Sequence, residues 1–448
     1  MSNLKLKTDR YAALFGICIA SFLGCIDLTV VNTIIPAIGR EFAVPLRDAQ
    51  WTTSVFMVAL SAFMVPVGAM ADIWGRKRLL LLGLVIFGVS SLLVGIADSF
   101  LLLIVFRFIQ GIGCAILYTV SGAIISYMFN QEEQGKALGI LFAVNGIGLA
   151  IGPVVGGFFS GLIEWRYAFL INIPFILLSL FFCFKFVDEK KGNKDRKMDV
   201  FGCITLILAL ISLIGSFSMS ENEKLKYLFL FSIFLFCTLF FFIEKKSKDP
   251  LVEFQFFKNN YFLAALISTF FLAVFYSSIL LSLPMLLANV ANKNDLQIGF
   301  LLLPATCTFA ISSAWVGHKS GHISPNFPIF IGLAMFVLAA FSLGLASKDS
   351  LSFLFFIGLI LFGTGWGAIL GPATLVALQT LPNSNAAVAM GTSWTIHNIG
   401  GACGAALTVS VITNGNNLAG SYQHLMFILS GMAAVIGLLY YFMIRRPS

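Results

Sequence analysis

GAMADIWGRKR, residues 68–78, places one acid, Asp72, and three consecutive basic residues, Arg76, Lys77 and Arg78, between two long apolar runs. Charged side chains are costly inside hydrocarbon, so a short charged connection of this kind lies at a membrane surface. The flanking runs, 50–71 and 79–97, are therefore predicted to form a helical hairpin whose charged turn marks one side of a membrane.

Apolar residues dominate the rest of the chain. Of its 448 residues, 59% are hydrophobic and 11% are charged, which is more apolar surface than a soluble protein can hide. About 20 helical residues cross ~30 Å of hydrocarbon. The sequence thus predicts an all-α polytopic membrane protein with fourteen transmembrane helices. Their predicted positions are 11–35, 50–71, 79–97, 100–128, 136–160, 167–187, 200–218, 226–243, 260–288, 297–316, 327–346, 351–372, 386–411 and 423–444.

Lysines and arginines concentrate in the connections on the side that holds the N-terminus. The hairpin at 68–78 and the connection KFVDEKKGNKDRKMD at 185–199 are examples. The positive-inside rule predicts that both termini are cytoplasmic. The net charge of +8 fits residues beside anionic lipid and requires no nucleic-acid partner.

Two charged connections divide the predicted helices into sets. The sequence predicts an N-terminal six-helix bundle at 1–187, charged linkers with two inserted helices at 188–258, and a C-terminal six-helix bundle at 259–448. Two such bundles are expected to face each other across a central cavity.

Two spans carry charges within the membrane. In the first span, CIDLTVVNTIIP places Asp27 near mid-membrane, where a carboxylate costs roughly 2.5–3.5 kcal/mol and should find a partner or bind a proton. In the fourth, RFIQGIGCAILY, Arg107 cannot shed its proton and must be paired or hydrated. Gln110 and Tyr118 share its helix face. That face is a candidate cavity wall; the alternatives are a helix-packing seam and a carboxylate that only hydrogen-bonds a neighbouring helix.

Small residues form rows in the fifth span, GIGLAIGPVVGGFFSG. Gly148, Gly152 and Gly156 are four apart, and Pro153 and Gly157 lie in a second row. Such rows let two helix backbones approach closely, and the proline loosens the helix. The pattern predicts a bend or a sliding surface, with plain packing as the alternative.

These stretches together resemble a known family. GAMADIWGRKR resembles the G-x-x-x-D-x-x-G-R-K signature of the major facilitator superfamily, and RFIQGIG resembles the R-x-x-Q-G pattern of its drug:proton antiporters. The fifth span is similar to their antiporter motif, and IDLTVVNTIIP to the first helix of their fourteen-helix branch. The resemblance implies a major facilitator fold, two six-helix bundles plus two inserted helices, in the plasma membrane of a bacterium. It also implies a monomeric rocker-switch transporter without a cofactor.

The second half departs from these patterns. In AWVGHKSGHIS, His318 occupies the place that Asp72 holds in the first half. In GTSWTIHNIGG, His397 stands where the branch commonly has arginine. Histidine changes charge near neutral pH, so His397 is a candidate for the proton path together with Asp27 and Arg107. A hydrogen-bonded core histidine is the alternative.

Aromatic residues complete the candidate substrate-binding set. Tyr276, Trp366 and Trp394 have amphipathic rings that suit flat lipophilic cations, with interfacial anchoring as the alternative. The full set is Asn32, Gln110, Tyr118, Tyr276, Trp366 and Trp394.

The charged hairpin is predicted to be a conformational latch rather than a substrate site. An acid at Asp72 can cap the N-terminus of a neighbouring helix, and Arg76 follows one helical turn later. The predicted latch comprises Gly68, Asp72, Gly75, Arg76, Lys77 and Arg78.

The motifs predict proton-coupled efflux of lipophilic or cationic drugs by alternating access. An exporter of an endogenous siderophore, lipid or metabolite is the main alternative, followed by a passive facilitator and by an enzyme or a sensor. The sequence has no nucleophile–base set, metal-spaced His/Cys set or phosphate loop, so no enzyme activity is expected. The eight cysteines fall in apolar runs and predict neither a metal nor a disulfide framework.

Overall fold

The computed structural model describes residues 2–189, 192, 197–218, 223–251, 254–293, 295–347, 352–382, 385–413 and 417–445, and all regular structure among them is helical. The α-helices are α1 (Ser2–Glu41), α2 (Leu46–Ala49), α3 (Trp51–Trp74), α4 (Arg76–Gly95), α5 (Phe100–Met128), α6 (Gln131–Leu162), α7 (Tyr167–Leu170), α8 (Asn172–Phe186), α9 (Val200–Ser218), α10 (Glu223–Lys246), α11 (Asn260–Asn289), α12 (Asp295–Lys319), α13 (Asn326–Leu345), α14 (Phe353–Thr380), α15 (Ala386–Thr413) and α16 (Leu418–Arg445). A short 3₁₀ turn, Phe254–Lys258, precedes α11.

Thirteen of the described helices are long and apolar enough to cross a membrane. The seventh predicted span, 200–218, coincides with α9, of which the apolar part found in the described residues is the shorter stretch Val200–Leu213. The prediction of an all-α polytopic membrane protein is confirmed.

The helices extend further than the predicted spans. The first span, predicted at 11–35, is part of a 40-residue helix, α1, and the twelfth, predicted at 351–372, runs on to Thr380 in α14. The sixth, predicted as one helix at 167–187, is interrupted at Ile171 between α7 and α8. Hydropathy locates the part of a helix that lies in hydrocarbon, whereas backbone hydrogen bonds decide where the helix itself begins and ends.

The described helices pack into two compact units. Unit 1 comprises 1–130, 151–253 and 382–395, and unit 2 comprises 131–150, 254–381 and 396–448. Two helices, α6 and α15, contribute residues to both. The division predicted from the charged connections, at 1–187, 188–258 and 259–448, stays a prediction.

Large apolar side chains on the outer faces of the helices are exposed, as expected for lipid contact. The inserted helix α10 is the extreme case, because only 6% of its most apolar stretch is buried. Its exposed side chains include Phe231 and Phe234. Apart from the face that packs on α9, this helix is therefore expected to lie against lipid.

Candidate functional site

The centre of unit 1 holds an ion pair between α1 and α5. Arg107 Nη1 donates to Asp27 Oδ2, and both side chains have 0% exposure. Eighty positions separate the two residues in sequence. A buried pair of this kind offsets its large desolvation cost only when further hydrogen bonds satisfy the remaining atoms. The structure thus holds the Asp27 carboxylate against a cation that cannot lose its charge.

Amide and hydroxyl groups from three helices complete the network. Gln110 Oε1 accepts from Arg107 Nη1 at 2.7 Å, and Gln110 Nε2 donates to Asp27 Oδ1 at 3.1 Å and to Ser91 Oγ at 3.3 Å. Asn172 Nδ2, at the start of α8, donates to the same Ser91 Oγ at 3.0 Å. Helices α1, α4, α5 and α8 therefore meet at one polar cluster in an otherwise apolar interior.

Aromatic and backbone groups surround the Arg107 guanidinium. Its Nε donates to the Thr52 carbonyl oxygen at 3.0 Å, and its Cζ lies 4.2 Å from the centroid of the Phe56 ring and 5.4 Å from that of Phe169. The planar fork and the stacking surface are features that a lysine cannot reproduce. The site selects arginine for its shape as well as its charge.

Tyr118 lies close to this cluster, and Asn32 does not belong to it. The Tyr118 hydroxyl and Cys25 Sγ are 3.0 Å apart, and the ring of Tyr118 stacks on Trp394 with 5.4 Å between centroids. Asn32 is exposed and accepts a hydrogen bond from Thr53 Oγ1 at 3.5 Å. The structure thus pairs Tyr118 with Trp394, a pairing that the sequence did not suggest.

A second aromatic group lies within unit 2. Tyr276 stacks on Trp366 with 5.0 Å between ring centroids and on His397 with 5.4 Å, and Phe309 lies 4.5 Å from Trp366. Trp366 is 4% exposed, and its Nε1 has no hydrogen-bond partner within the described part of the chain. His397 is buried and hydrogen-bonds to the backbone of Thr269. Its role in a proton path stays a prediction.

The charged hairpin forms a second buried ion pair in unit 1. Arg76 Nη2 and Nε donate to Asp72 Oδ1 at 2.8 and 3.1 Å, and Arg76 Nη1 donates to the Ala123 carbonyl oxygen at 3.0 Å. The same carboxylate accepts from the backbone nitrogens of Ala387, at 3.4 Å, and Val388, at 3.1 Å, in the first turn of α15. Asp72 therefore caps a helix N-terminus, the geometry expected from its place in the sequence.

The other hairpin residues differ in what they contact. Gly75 has φ 109°, a conformation that favours glycine, and joins α3 to α4. At Gly68, an added Cβ would lie 2.5 Å from the Ala387 carbonyl oxygen, so the backbones are in contact. Lys77 Nζ lies 5.6 Å from the Phe184 ring centroid, and Arg78 is largely exposed, 3.8 Å from Glu189. In the second half, His318 is exposed at the end of α12.

Only one of the two predicted rows of small residues in α6 lies at a helix contact. An added Cβ at Gly152 or Gly156 would meet the hydroxyl oxygens of Thr29 and Thr33 on α1, whereas at Gly157 it would meet no atom of the described residues within 4 Å. Gly148 is buried, and Pro153 lies inside the helix. The second row does not take part in the α1 contact, and its role as a bend or sliding surface stays a prediction.

Sequence reasoning missed three members of the network, Thr52, Ser91 and Asn172. Serine and threonine are common in membrane helices, so they carry little signal alone. Asn172 does carry a signal, because burying an amide in the apolar run YAFLINIPFILL costs free energy unless the amide is hydrogen-bonded.

A polytopic helical protein with a charged network buried among its helices has the features of a membrane transporter. The chain belongs to the Major Facilitator Superfamily, whose family description matches residues 17–405. Members of this superfamily are transporters that bind small molecules.

Similar proteins have names that refer to multidrug resistance and to transport. The "Multidrug resistance protein Stp" of Mycobacterium tuberculosis is 32% identical over 400 residues, covering 87% of this chain and 74% of Stp. The "Riboflavin transporter RibZ" of Clostridioides difficile is 27% identical over 407 residues, covering 89% and 87%. The solved structure of the human organic anion transporter MFSD10 superposes with a TM-score of 0.74 at 16% identity, covering 96% and 99%. This likeness confirms the predicted major facilitator fold.

Proposed function

We propose that this transporter exports lipophilic or cationic drugs in exchange for protons across the inner membrane of a bacterium. It acts as a monomer with both termini in the cytoplasm. The observation that carries the proposal is the fully buried Asp27–Arg107 pair, which joins a carboxylate that can take up a proton to a cation that cannot lose one. The multidrug-resistance relative supports the class of substrate.

Proton exchange at Asp27 gives the cycle its direction. Facing the cytoplasm, the deprotonated carboxylate accepts an amphipathic or cationic substrate; facing outward, it takes up a proton and releases that substrate. Arg107 prevents the carboxylate from remaining protonated throughout the cycle, because the neighbouring cation favours the charged form. One site then binds proton and drug alternately.

One proton per cycle supplies enough energy for useful export. A charge that crosses ~100 mV contributes about 2.3 kcal/mol, which sustains roughly a 50-fold gradient of a neutral substrate.

The aromatic pairs are the proposed substrate contacts. Tyr118 with Trp394 in unit 1, and Tyr276 with Trp366 in unit 2, each present a ring face suited to a flat or cationic molecule. Gln110 and Asn32 would add polar contacts. His397 is proposed as an additional proton-path residue.

Export of an aromatic metabolite is the second candidate function. The stacked rings of Tyr276 and Trp366 fit an uncharged heterocycle as well as a drug, and one relative is named as a riboflavin transporter. The fold is unchanged in this case, and only the cargo differs.

Purified protein in liposomes tests the proposal directly. A fluorescent lipophilic cation outside the vesicles should accumulate inside when the lumen is acidic, and a protonophore should abolish the accumulation. Replacing the cation by riboflavin in the same assay tests the second candidate. Transport of either compound that ignores the pH gradient would support a passive facilitator and contradict proton coupling.

We also propose that the glycines of α6 let this helix slide against α1 during the cycle. Gly152 and Gly156 contact Thr29 and Thr33, which follow Asp27 by two and six positions on α1. A shift of α6 against α1 would therefore also displace the Asp27 carboxylate. Gly148, Pro153 and Gly157 would loosen the helix around that contact.

The hairpin at 68–78 is proposed to be the latch of the cycle. Its buried Asp72 carboxylate joins α3, Arg76 at the start of α4 and the N-terminus of α15, and such a joint can hold in one conformation and break in another. Gly68 and Gly75 allow the tight approach, and Lys77 and Arg78 flank it at the membrane surface.

Asp72→Ala should leave drug affinity within about threefold of wild type while slowing turnover roughly tenfold or more. The substitution removes the α15 cap and leaves Arg76, 4% exposed, without its anion, so the latched conformation loses stability relative to the other. Equilibrium dye binding and initial transport rates measure the two quantities separately.

Arg78→Ala is the matched control, because Arg78 belongs to the same hairpin but is largely exposed. It should transport at close to the wild-type rate. Loss of drug binding in Asp72→Ala with retained cycling would show that the hairpin recognises substrate and is not a latch.

A further inference from the structure

A groove lies between α12, α13 and α14, entirely within unit 2. It encloses a cavity of about 130 Å³, and nearly all of its wall is apolar. All three helices and the connection between α12 and α13 contribute to this wall, through residues that include Val316, Lys319, Ile323, Met335, Thr364 and Ala368. The groove therefore suits an apolar ligand.

The groove runs inward from one membrane surface. Lys319 is the last residue of α12 and Asn326 the first of α13, so the outer end of the groove lies where these two helices are connected. Ser312, about two turns before Lys319, and Met335, more than two turns into α13, line its inner end. At 1.5 Å per residue the groove is about 10 Å deep, most of the ~15 Å of hydrocarbon in one leaflet.

The rim of the groove is exposed. Trp315 on α12 is 60% exposed, and Phe327 on α13 is 57% exposed. Large apolar side chains exposed on a membrane-spanning helix are suited to lipid contact, and tryptophan is frequent at the level of the headgroups. Trp315 precedes Lys319 by one helical turn, so its ring lies just below the ammonium group. An acyl chain of the bilayer can enter the groove from this rim.

Lys319 gives the outer end of the groove a positive charge. Its stem lines the groove, the residue is exposed, and no acid within the described part of the chain forms an ion pair with it. The neighbouring His318 and His322 are exposed and are never negative. Glu132 approaches Gly321 with its backbone carbonyl oxygen. This charge attracts a lipid phosphate and repels a lipophilic cation.

We propose that the groove binds one acyl chain of an anionic phospholipid, whose headgroup phosphate lies on the Lys319 ammonium group. The bound lipid contacts α12, α13 and α14 together and so stabilises their packing in unit 2. A zwitterionic lipid can place the same chain in the groove, but the cation in its headgroup offsets the attraction to Lys319. The groove belongs to unit 2 and Asp27 to unit 1, so the inference does not depend on proton coupling.

Native mass spectrometry of the purified full-length protein in detergent tests the proposal. The wild type should bind phosphatidylglycerol about fivefold more tightly than phosphatidylcholine, the effect of one lysine near anionic lipid. Lys319→Gln should lower this ratio to about one. Lys258→Gln is the matched control, because Lys258 is exposed two membrane crossings earlier, on the same side of the membrane, and does not line the groove. Its ratio should equal that of the wild type.

A second pair of variants tests the apolar part of the groove. In Thr364→Phe the added ring should occupy the space of the chain and weaken the binding of both lipids. Displacing about two methylene groups corresponds to roughly a tenfold loss of affinity. Cys307→Phe, at an exposed position of α12 outside the groove, should bind both lipids like the wild type.

Brominated phosphatidylglycerol gives an independent measurement if Thr364→Phe does not fold. Bromine on the acyl chain quenches nearby tryptophan, so at one lipid per protein Trp315→Phe should lose part of the quenching. Equal affinity of the wild type for the two lipids, or an equal effect of Lys319→Gln and Lys258→Gln, would overturn the assignment of the headgroup to Lys319. Unchanged lipid binding in Thr364→Phe, or unchanged quenching in Trp315→Phe, would overturn the placement of the chain in this groove.

Discussion

Asp27→Asn should reduce proton-driven accumulation of a lipophilic cation to the level of protein-free vesicles. Asparagine has nearly the same shape as aspartate, and its one amide oxygen can still accept a hydrogen bond from Arg107, although its amide nitrogen cannot accept the bond from Gln110. It cannot bind or release a proton at any working pH. The substitution therefore removes the exchange of proton for drug while preserving most of the geometry.

Inverted membrane vesicles with an imposed pH gradient measure this effect. Asp9→Asn supplies the control, because it removes a carboxylate from the same helix, α1, near its N-terminal end, and should transport normally. Undiminished proton-dependent uptake in Asp27→Asn would contradict the assignment. Exchange of labelled drug for unlabelled drug without a gradient shows whether the variant still cycles.

Substitution of Arg107 should have the second largest effect, on stability as well as transport. Arg107→Leu leaves Asp27 without its cation in a site with 0% exposure, and breaking a buried pair in this way costs about 3–5 kcal/mol. The unpaired carboxylate should then stay protonated, so any residual transport should no longer respond to a pH gradient. Thermal unfolding in detergent and vesicle uptake measure the two effects.

Arg107→Lys separates charge from shape. Lysine keeps the positive charge but cannot bind Asp27, Gln110 and the Thr52 carbonyl oxygen together, or stack on Phe56. We expect at least about a tenfold loss of transport with partial recovery of stability. Transport by Arg107→Lys at the wild-type rate would show that only charge matters. The exposed Arg40, replaced by lysine, is the control.

A double-mutant cycle shows whether the two charges act as one unit. Asp27→Asn with Arg107→Gln removes both charges, so the double variant should be more stable than either single variant although it remains inactive. Additive losses of stability would mean that the two residues do not depend on each other in the membrane.

Sequence predicts best those site residues whose placement among apolar residues costs free energy unless they find a partner. Asp27 and Arg107 stand out because a charge among apolar residues needs a partner wherever the helix packs. Asp72 and Arg76 stand out because they are opposite charges only four residues apart, a separation short enough to keep them close although Gly75 ends α3 between them. Each of these residues has a buried ion partner in the structure.

The parts that sequence predicts poorly depend on how helices are rotated against one another. Gly152 contacts α1 and Gly157 does not, although both belong to the same small-residue pattern. Tyr118 stacks on Trp394, which is hundreds of positions away in the chain, and Ser91 receives two amide groups from different helices. No spacing within one span contains this information.

The sequence alone determined that the chain crosses a membrane many times, because its apolar runs are too long and too numerous for water, and it marked Asp27 and Arg107 as groups that need partners. Only the tertiary structure decided that they are each other's partner, that Asp72 caps α15, and that Asn172 donates to the same serine, Ser91, as Gln110 does. The physical reason is range: transfer from water to lipid is a property of each residue, whereas hydrogen bonds act only over a few ångströms between side chains that folding brings together.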